Sequence, residues 1–245
     1  MKGDLVKRAA DALRGAGRVA VLTGAGISAE SGVPTFRGAD GLWRSFRAED
    51  LATPEAFARD PKLVWEWYAW RRALIAKVRP NPAHEVLAAW ESRLPGFVLI
   101  TQNVDGLHPL AGSKAVLELH GDIWQTRCLA EGTVRVNRDV PLAEIPPRCP
   151  ACGGLVRPHI VWFGEALDGV TIQAAYAASR AAAVMLVIGT SSIVYPAAAL
   201  PGAAAEAGAT IIEVNPDATP LTEDAHISIR GKAGEVLPLI DQALG

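Results

Sequence analysis

The chain has 245 residues, 50% of them hydrophobic and 20% charged, with a formal net charge of -2. That composition supplies a sizeable core and excludes a disordered chain, and the length suits one large α/β domain, alone or with a smaller inserted module. Lys and Arg are scattered without a basic block, so electrostatics offers no reason to expect nucleic-acid or membrane binding. Leu5, Val6, Ala9, Ala10 and Leu13 recur at helical spacing and predict an amphipathic first helix. No apolar signal-peptide core is present near Met1, and Asp4 and Asp11 do not suit a transit peptide, so a cytoplasmic protein is expected.

Arg18-Val19-Ala20-Val21-Leu22 predicts a buried strand. Four later runs, at residues 97–100, 116–119, 184–188 and 210–214, have the same branched-aliphatic character. Strands apolar on both faces belong in a parallel sheet covered on each side. Helical patterns at residues 82–94, 170–182 and 196–207 alternate with them. The alternation predicts a doubly wound, Rossmann-like α/β fold. The longest uncharged run, residues 181–201, is interrupted by Gly189-Thr190-Ser191-Ser192 and reads as strand, loop and helix start, not as a membrane span.

Two stretches break the alternation. Residues 41–80 carry Trp43, Trp65, Trp67 and Trp70, four of the seven tryptophans, and look helical. Residues 124–157 hold Cys128, Cys149 and Cys152, several prolines and little periodicity. Both are read as insertions. The expected organisation is one catalytic unit over residues 1–245, with a large domain from about 1–40, 81–122 and 158–245. A small module would come from about 41–80 and 123–157.

The first strand runs directly into Leu22-Thr23-Gly24-Ala25-Gly26-Ile27-Ser28. Glycines in such a turn let backbone approach a pyrophosphate at the N-terminus of the next helix. A bare G-x-G is a weak signal, and the usual third glycine is missing, so the fingerprint of a nicotinamide-dependent dehydrogenase is absent. The longer run from Gly24 through Ser28, Glu30-Ser31-Gly32-Val33-Pro34-Thr35 and Phe36-Arg37 is far more specific. It resembles the cofactor-binding signature of the sirtuin family. Thr101-Gln102-Asn103-Val104-Asp105-Gly106-Leu107-His108 resembles the family's nicotinamide-ribose segment, and Leu119-His120-Gly121 its catalytic histidine motif. Val161-Trp162-Phe163-Gly164-Glu165 resembles its substrate-binding loop. Gly189-Thr190-Ser191-Ser192 and Asn215-Pro216-Asp217 resemble the remaining NAD contacts. The matches keep the family's order from residue 23 to 217.

The resemblance implies an NAD-dependent protein-lysine deacylase, with NAD a co-substrate and acyl-lysine proteins as partners. Nothing indicates more than a monomer or weak oligomer. Gly24, Ala25, Gly26, Ser28, Arg37, Gly189, Thr190 and Ser191 would hold phosphates and nearby ribose; backbone amides, hydroxyls and a guanidinium suit anionic oxygens. Asn215 and Asp217 would serve the adenosine end, and Gln102 and Asn103 the nicotinamide ribose and an ordered water. Asp105 would accept from the nicotinamide carboxamide. Phe36 would shield the ribose carbon once nicotinamide has left.

Of the five histidines, His84 sits on a helical face, His108 in a loop, His159 after Pro158, and His226 at the start of a late strand. His120 follows a strand end, where active-site residues of open α/β sheets gather. Its ordinary pKa of about 6.5 suits a base near neutral pH. In the implied reaction the acyl oxygen attacks the ribose carbon, nicotinamide departs, and His120 takes a proton through the ribose hydroxyls. Water completes the release of lysine and O-acyl-ADP-ribose. Val161, Trp162, Phe163 and Gly164 would pair with the substrate backbone as an added strand.

Sirtuins usually hold a structural zinc with two C-x-x-C pairs. The second pair is intact as Cys149-Pro150-Ala151-Cys152, but the partner expected for Cys128 is replaced by Glu131. A Cys3Glu tetrahedron is chemically allowed, and a decayed, metal-free site is the alternative. The run Trp65-Glu66-Trp67-Tyr68-Ala69-Trp70-Arg71-Arg72 resembles the helix of the family's desuccinylating and demalonylating branch. Tyr68 and Arg71, three apart, share a helical face and can donate to one carboxylate on a succinyl or malonyl chain. The expectation is therefore desuccinylation and demalonylation with weaker deacetylation. A general deacetylase, a mono-ADP-ribosyltransferase and a silent NAD-sensing module are the alternatives.

Overall fold

The computed structural model describes residues 2–36, 42 and 47–245. Arg37 and Trp43, singled out above, lie outside the described residues. The first half contains α1 (Lys2–Arg14), β1 (Val19–Thr23), a 3₁₀ turn (Ala25–Ser31), α2 (Ala48–Leu51), α3 (Pro54–Arg59), α4 (Pro61–Ile75), α5 (Pro82–Arg93), β2 (Val98–Thr101) and α6 (Leu107–Ala111). Then follow β3 (Val116–Glu118), β4 (Gly121–Cys128), β5 (Val134–Val136), β6 (Val156–Ile160), α7 (Gly169–Ala181) and β7 (Val184–Ile188). The chain continues through α8 (Leu200–Glu206), β8 (Thr210–Asn215), β9 (Ile227–Arg230) and α9 (Ala233–Leu244).

All five predicted apolar runs enter one six-stranded sheet of order β3-β2-β1-β7-β8-β9, every pair of it parallel. The reason for their unbroken hydrophobicity is visible in β1. Val19 and Val21 pack with Leu13, Leu87, Trp90 and Ile240 of α1, α5 and α9, whereas Ala20 and Leu22 face Ala175, Leu200 and Ala204 of α7 and α8. Both faces are therefore dry, as a doubly wound sheet requires. From β1 the chain winds outward through β2 to β3; it later returns beside β1 as β7 and winds the other way. That reversal opens a crevice between the C-terminal ends of β1 and β7, where ligands of such sheets bind.

The predicted helix at 196–207 divides into a 3₁₀ turn at Ala197–Ala199 and α8, with Pro201 in the first turn of the helix. His108, expected in a loop, occupies the first turn of α6 and is buried. The region 124–157 contains more regular structure than its pattern suggests. β4, β5 and β6 form a separate antiparallel sheet of order β5-β4-β6, running past residues 122 and 158. Its periodicity is hidden because β5 has three residues and the β4–β6 register slips between Gly121 and Thr126. The tryptophan-rich helices cover this sheet: Trp65 packs with Ile123 and Val156, and its indole N–H donates to the Val156 carbonyl at 2.8 Å. Among the described residues, no helix is long and apolar enough to cross a membrane.

Candidate active site

The turns after β1 and β7 touch backbone to backbone. Gly26 N–H donates to the Gly189 carbonyl at 2.7 Å. A Cβ on Gly24 would meet Thr190 at 2.7 Å, and one on Gly189, whose φ is +59°, would meet the Ile27 nitrogen at 2.4 Å. These glycines are required by close approach as well as by ligand access. The contact forms one wall of a cavity of about 830 Å³ that runs from Asn215, Asp217 and Lys232 at one end to Phe36, Tyr68, Arg71 and Trp162 at the other.

Most of the predicted residues meet there. Gly24, Ala25, Gly26, Phe36, Gln102, Asn103, His120, Gly189, Thr190, Ser191, Asn215 and Asp217 all line the cavity. So do Tyr68, Arg71 and residues 161–164. Ser28 and Asp105 stand behind the lining. Ser28 donates to Asp105 Oδ2 at 2.8 Å, the Leu107 N–H donates to Oδ1 at 2.9 Å, and Asn103 Nδ2 donates to Ser28 Oγ at 3.1 Å. Burial raises the Asp105 pKa, opposed by those donors to its oxygens. In this arrangement Asp105 holds Ser28, and through it Asn103, in place.

His120 follows β3 and the Leu119 N–H bonded to Thr101 of β2, so its position is set by the end of the sheet. Its Nδ1 lies 2.9 Å from the Gln102 carbonyl oxygen. A carbonyl only accepts, so Nδ1 carries the proton and Nε2 keeps the lone pair. Burial lowers the His120 pKa, while the Gln102 bond acts in the opposite direction. The imidazole is therefore neutral at pH 7 and able to take a proton.

The substrate-loop motif departs from a free strand edge. Val161 N–H already donates to the His120 carbonyl at 3.0 Å, Trp162 N–H to Glu165 at 2.8 Å, and Phe163 N–H to the Ala52 carbonyl at 3.0 Å. The Trp162 carbonyl accepts from the Glu165 N–H at 3.0 Å, so an added strand would rest on the Val161 and Phe163 carbonyls and the Gly164 N–H.

Sequence reasoning passed over Glu213 and Lys232. Glu213 is buried in β8, where it accepts from Thr219 Oγ1 at 2.5 Å, Ser228 Oγ at 2.7 Å and Thr222 Oγ1 at 2.9 Å. It thereby orders the loop whose Asp217 and Thr219 line the cavity. The available signal was a lone acid inside the apolar run Ile211-Ile212-Glu213-Val214.

His84 and His108 form an imidazole pair, ring centroids 4.9 Å apart, behind Ser28 and Thr23. Burial pushes His84 down to about 4; burial and then His84 push His108 down to about 3. The unfolded chain binds both protons near pH 6.5, whereas the folded chain refuses them. Stability is therefore full above about pH 6.5 and falls with pH toward those lower values, by up to about 1.4 kcal/mol per pH unit for each group. Urea unfolding between pH 7 and 5 should show this slope, and His108→Gln should reduce it by one proton; an unchanged slope would exclude His108 as a contributor.

The cysteines and Glu131 gather although 24 residues separate Cys128 from Cys152. Their Sγ atoms are 3.6 Å apart, Cys149 Sγ is 3.9 Å from Glu131 Oε2, and all four ligand atoms lie within 4.8 Å of one another. Zinc–sulfur bonds of ~2.3 Å in a tetrahedron put sulfurs about 3.8 Å apart, so the donor set fits a zinc ion. None of the four residues lines the cavity, which gives such an ion a structural role. Purified protein should contain close to one zinc by elemental analysis, and chelation should lower the melting temperature. A stable, metal-free preparation would mark the site as decayed.

An open α/β sheet with its crevice at the switch point is the architecture of dinucleotide-binding proteins, and here an imidazole of fixed orientation lines that crevice. The chain matches the Sir2 family over residues 24–196 and belongs to that family, the sirtuins. It is 59% identical over 215 residues to an NAD-dependent protein deacylase of Aquifex aeolicus, covering 88% of this chain and 90% of the relative. A solved Sir2 homologue–NAD complex superposes with a TM-score of 0.90 at 45% identity, covering 97% of this chain and 93% of that one. Sir2Af2 bound to a myristoylated histone peptide superposes with a TM-score of 0.82 at 35% identity, covering 98% and 96%.

Proposed function

We propose that this sirtuin, an NAD-dependent protein deacylase, removes succinyl and malonyl groups from lysine side chains in preference to acetyl. The observation that carries the preference is Arg71. Its side chain is buried in the cavity wall, and its Nη1 has no hydrogen-bond partner among the described residues. The guanidinium lies 4.4 Å from the Phe36 ring centre and 5.2 Å from that of Trp67. Burial lowers its pKa to about 10, which still leaves it charged at pH 7. Asp105 is its electrostatic partner but makes no ion-pair contact with it among the described residues, and a carboxylate at the end of an acyl chain would supply one. Tyr68, a phenol whose pKa burial raises further to about 12, supplies a second donor.

At the other end, the glycine turns, Ser191, Asn215 and Asp217 bind the nucleotide, while Gln102 and Asn103 hold the nicotinamide ribose. Phe36 covers the ribose carbon from which nicotinamide leaves. His120 Nε2 accepts the proton that frees a ribose hydroxyl to attack the acyl carbon. The carbonyls of Val161 and Phe163 hold the main chain of the substrate protein. The long apolar acyl group carried by the peptide of Sir2Af2 would leave Arg71 unpaired here.

The test is a panel of acetyl-, malonyl- and succinyl-lysine peptides with NAD, following nicotinamide release and free lysine. Charged hydrogen bonds of about 1.5–3 kcal/mol predict a succinyl kcat/KM about 10²-fold above acetyl. Acetyl equal or better would make this a general deacetylase. Label from NAD appearing on protein would favour ADP-ribosyl transfer.

A further inference from the structure

We propose that Trp162 is a positioning residue that fixes the direction of the Tyr68 hydroxyl proton and so makes the acyl-binding end a donor-only site. The inference rests on the acidic-acyl reading above and names what sets its polarity. The Trp162 indole nitrogen lies 2.8 Å from Tyr68 Oη, and both side chains are buried. An indole N–H can only donate, so the phenol oxygen must accept on that side. A phenol proton prefers the plane of its ring and has two orientations there. Trp162 blocks one of them, and the O–H takes the other. Arg71 has no lone pair to receive that proton. The cavity end therefore presents the Tyr68 O–H beside the Arg71 N–H, with the acceptor capacity of the phenol directed toward the indole. Such a pair complements a carboxylate, which only accepts.

The indole is held more firmly than packing alone requires. The Arg157 guanidinium carbon lies 3.5 Å from the centre of the Trp162 ring, and Phe57 packs on it at a centroid distance of 5.3 Å. Arg157 is fixed by a two-pronged pair with Glu165, at 2.6 and 2.8 Å, and by a 2.9 Å bond to the Ile160 carbonyl. Glu165 also receives the Trp162 main-chain N–H at 2.8 Å. The last residue of the Val161–Glu165 motif thus anchors both the backbone and the ring of Trp162. One loop then serves two tasks, since the segment that meets the substrate main chain also orients the group that reads the acyl terminus.

The test replaces Trp162 with benzothienylalanine, whose sulfur takes the place of the indole N–H with little change in shape, and separately makes Trp162→Phe. The readout is the ratio of succinyl to acetyl kcat/KM, with KM and kcat resolved. The isostere should lower the ratio by up to about 10-fold, chiefly by raising KM for the succinyl peptide, as for loss of one hydrogen bond. In a Tyr68→Phe background the same replacement should change the ratio no further. An unchanged ratio, an equal loss on both peptides, or the same drop in the Tyr68→Phe background would overturn the assignment. Arg71→Met run in parallel separates the two levels. If Arg71→Met leaves the ratio unaltered, the acidic-acyl reading fails and this inference with it. If Arg71→Met collapses the ratio and the isostere does not, only the role of Trp162 is lost.

Discussion

Replacing His120 with tyrosine is expected to reduce deacylation of every acyl-lysine peptide by about 10²–10⁴-fold, the usual cost of losing a general base. The Nδ1–H bond to the Gln102 carbonyl leaves the Nε2 lone pair as the acceptor, and burial keeps the ring neutral at pH 7. A tyrosine hydroxyl, with an ordinary pKa near 10, takes up no proton under these conditions. Binding of NAD should persist, because Gly24, Ala25, Ser191 and Asn215 come from other elements and the replacement touches none of them. Calorimetric titration with NAD, alongside peptide turnover, separates the two effects. The wild-type acid limb should fall below about pH 6.5, since the folded pKa is lowered and the base is lost only on protonation. Near-normal turnover of the variant would remove His120 from catalysis.

Arg71→Met is expected to erase most of the succinyl advantage, about 10²-fold in kcat/KM, with a far smaller effect on the acetyl peptide. Methionine keeps an unbranched apolar stem between Phe36 and Trp67, so the wall of the cavity is retained while the cation is removed. Steady-state kinetics with both peptides and a thermal melt together provide the check. Equal loss of both activities would show that Arg71 supports the site as a whole and does not read the acyl terminus.

What was legible in the sequence were the features carried by neighbouring residues. β1, β7 and β8 announce themselves because a strand covered on both faces tolerates almost no polar side chain. The glycine turn after β1 is readable because no side chain fits where Gly24 and Gly26 meet residues 189–190. Along α4, the three-residue spacing of Tyr68 and Arg71 is enough to place them on one helical face.

The small antiparallel sheet was hidden, since β5 is only three exposed residues and the β4–β6 register slips, which leaves no regular pattern. The tertiary structure alone decided the rest, because each feature joins residues far apart in the chain. Trp162 reaches Tyr68 across 94 positions, Ser28 reaches Asp105 across 77, and His120 reaches the Gln102 carbonyl across 18. Residue types state which groups can donate, accept or ionise. Which imidazole nitrogen keeps its lone pair and which carboxylate serves behind the wall follow only from what folding packs around each group.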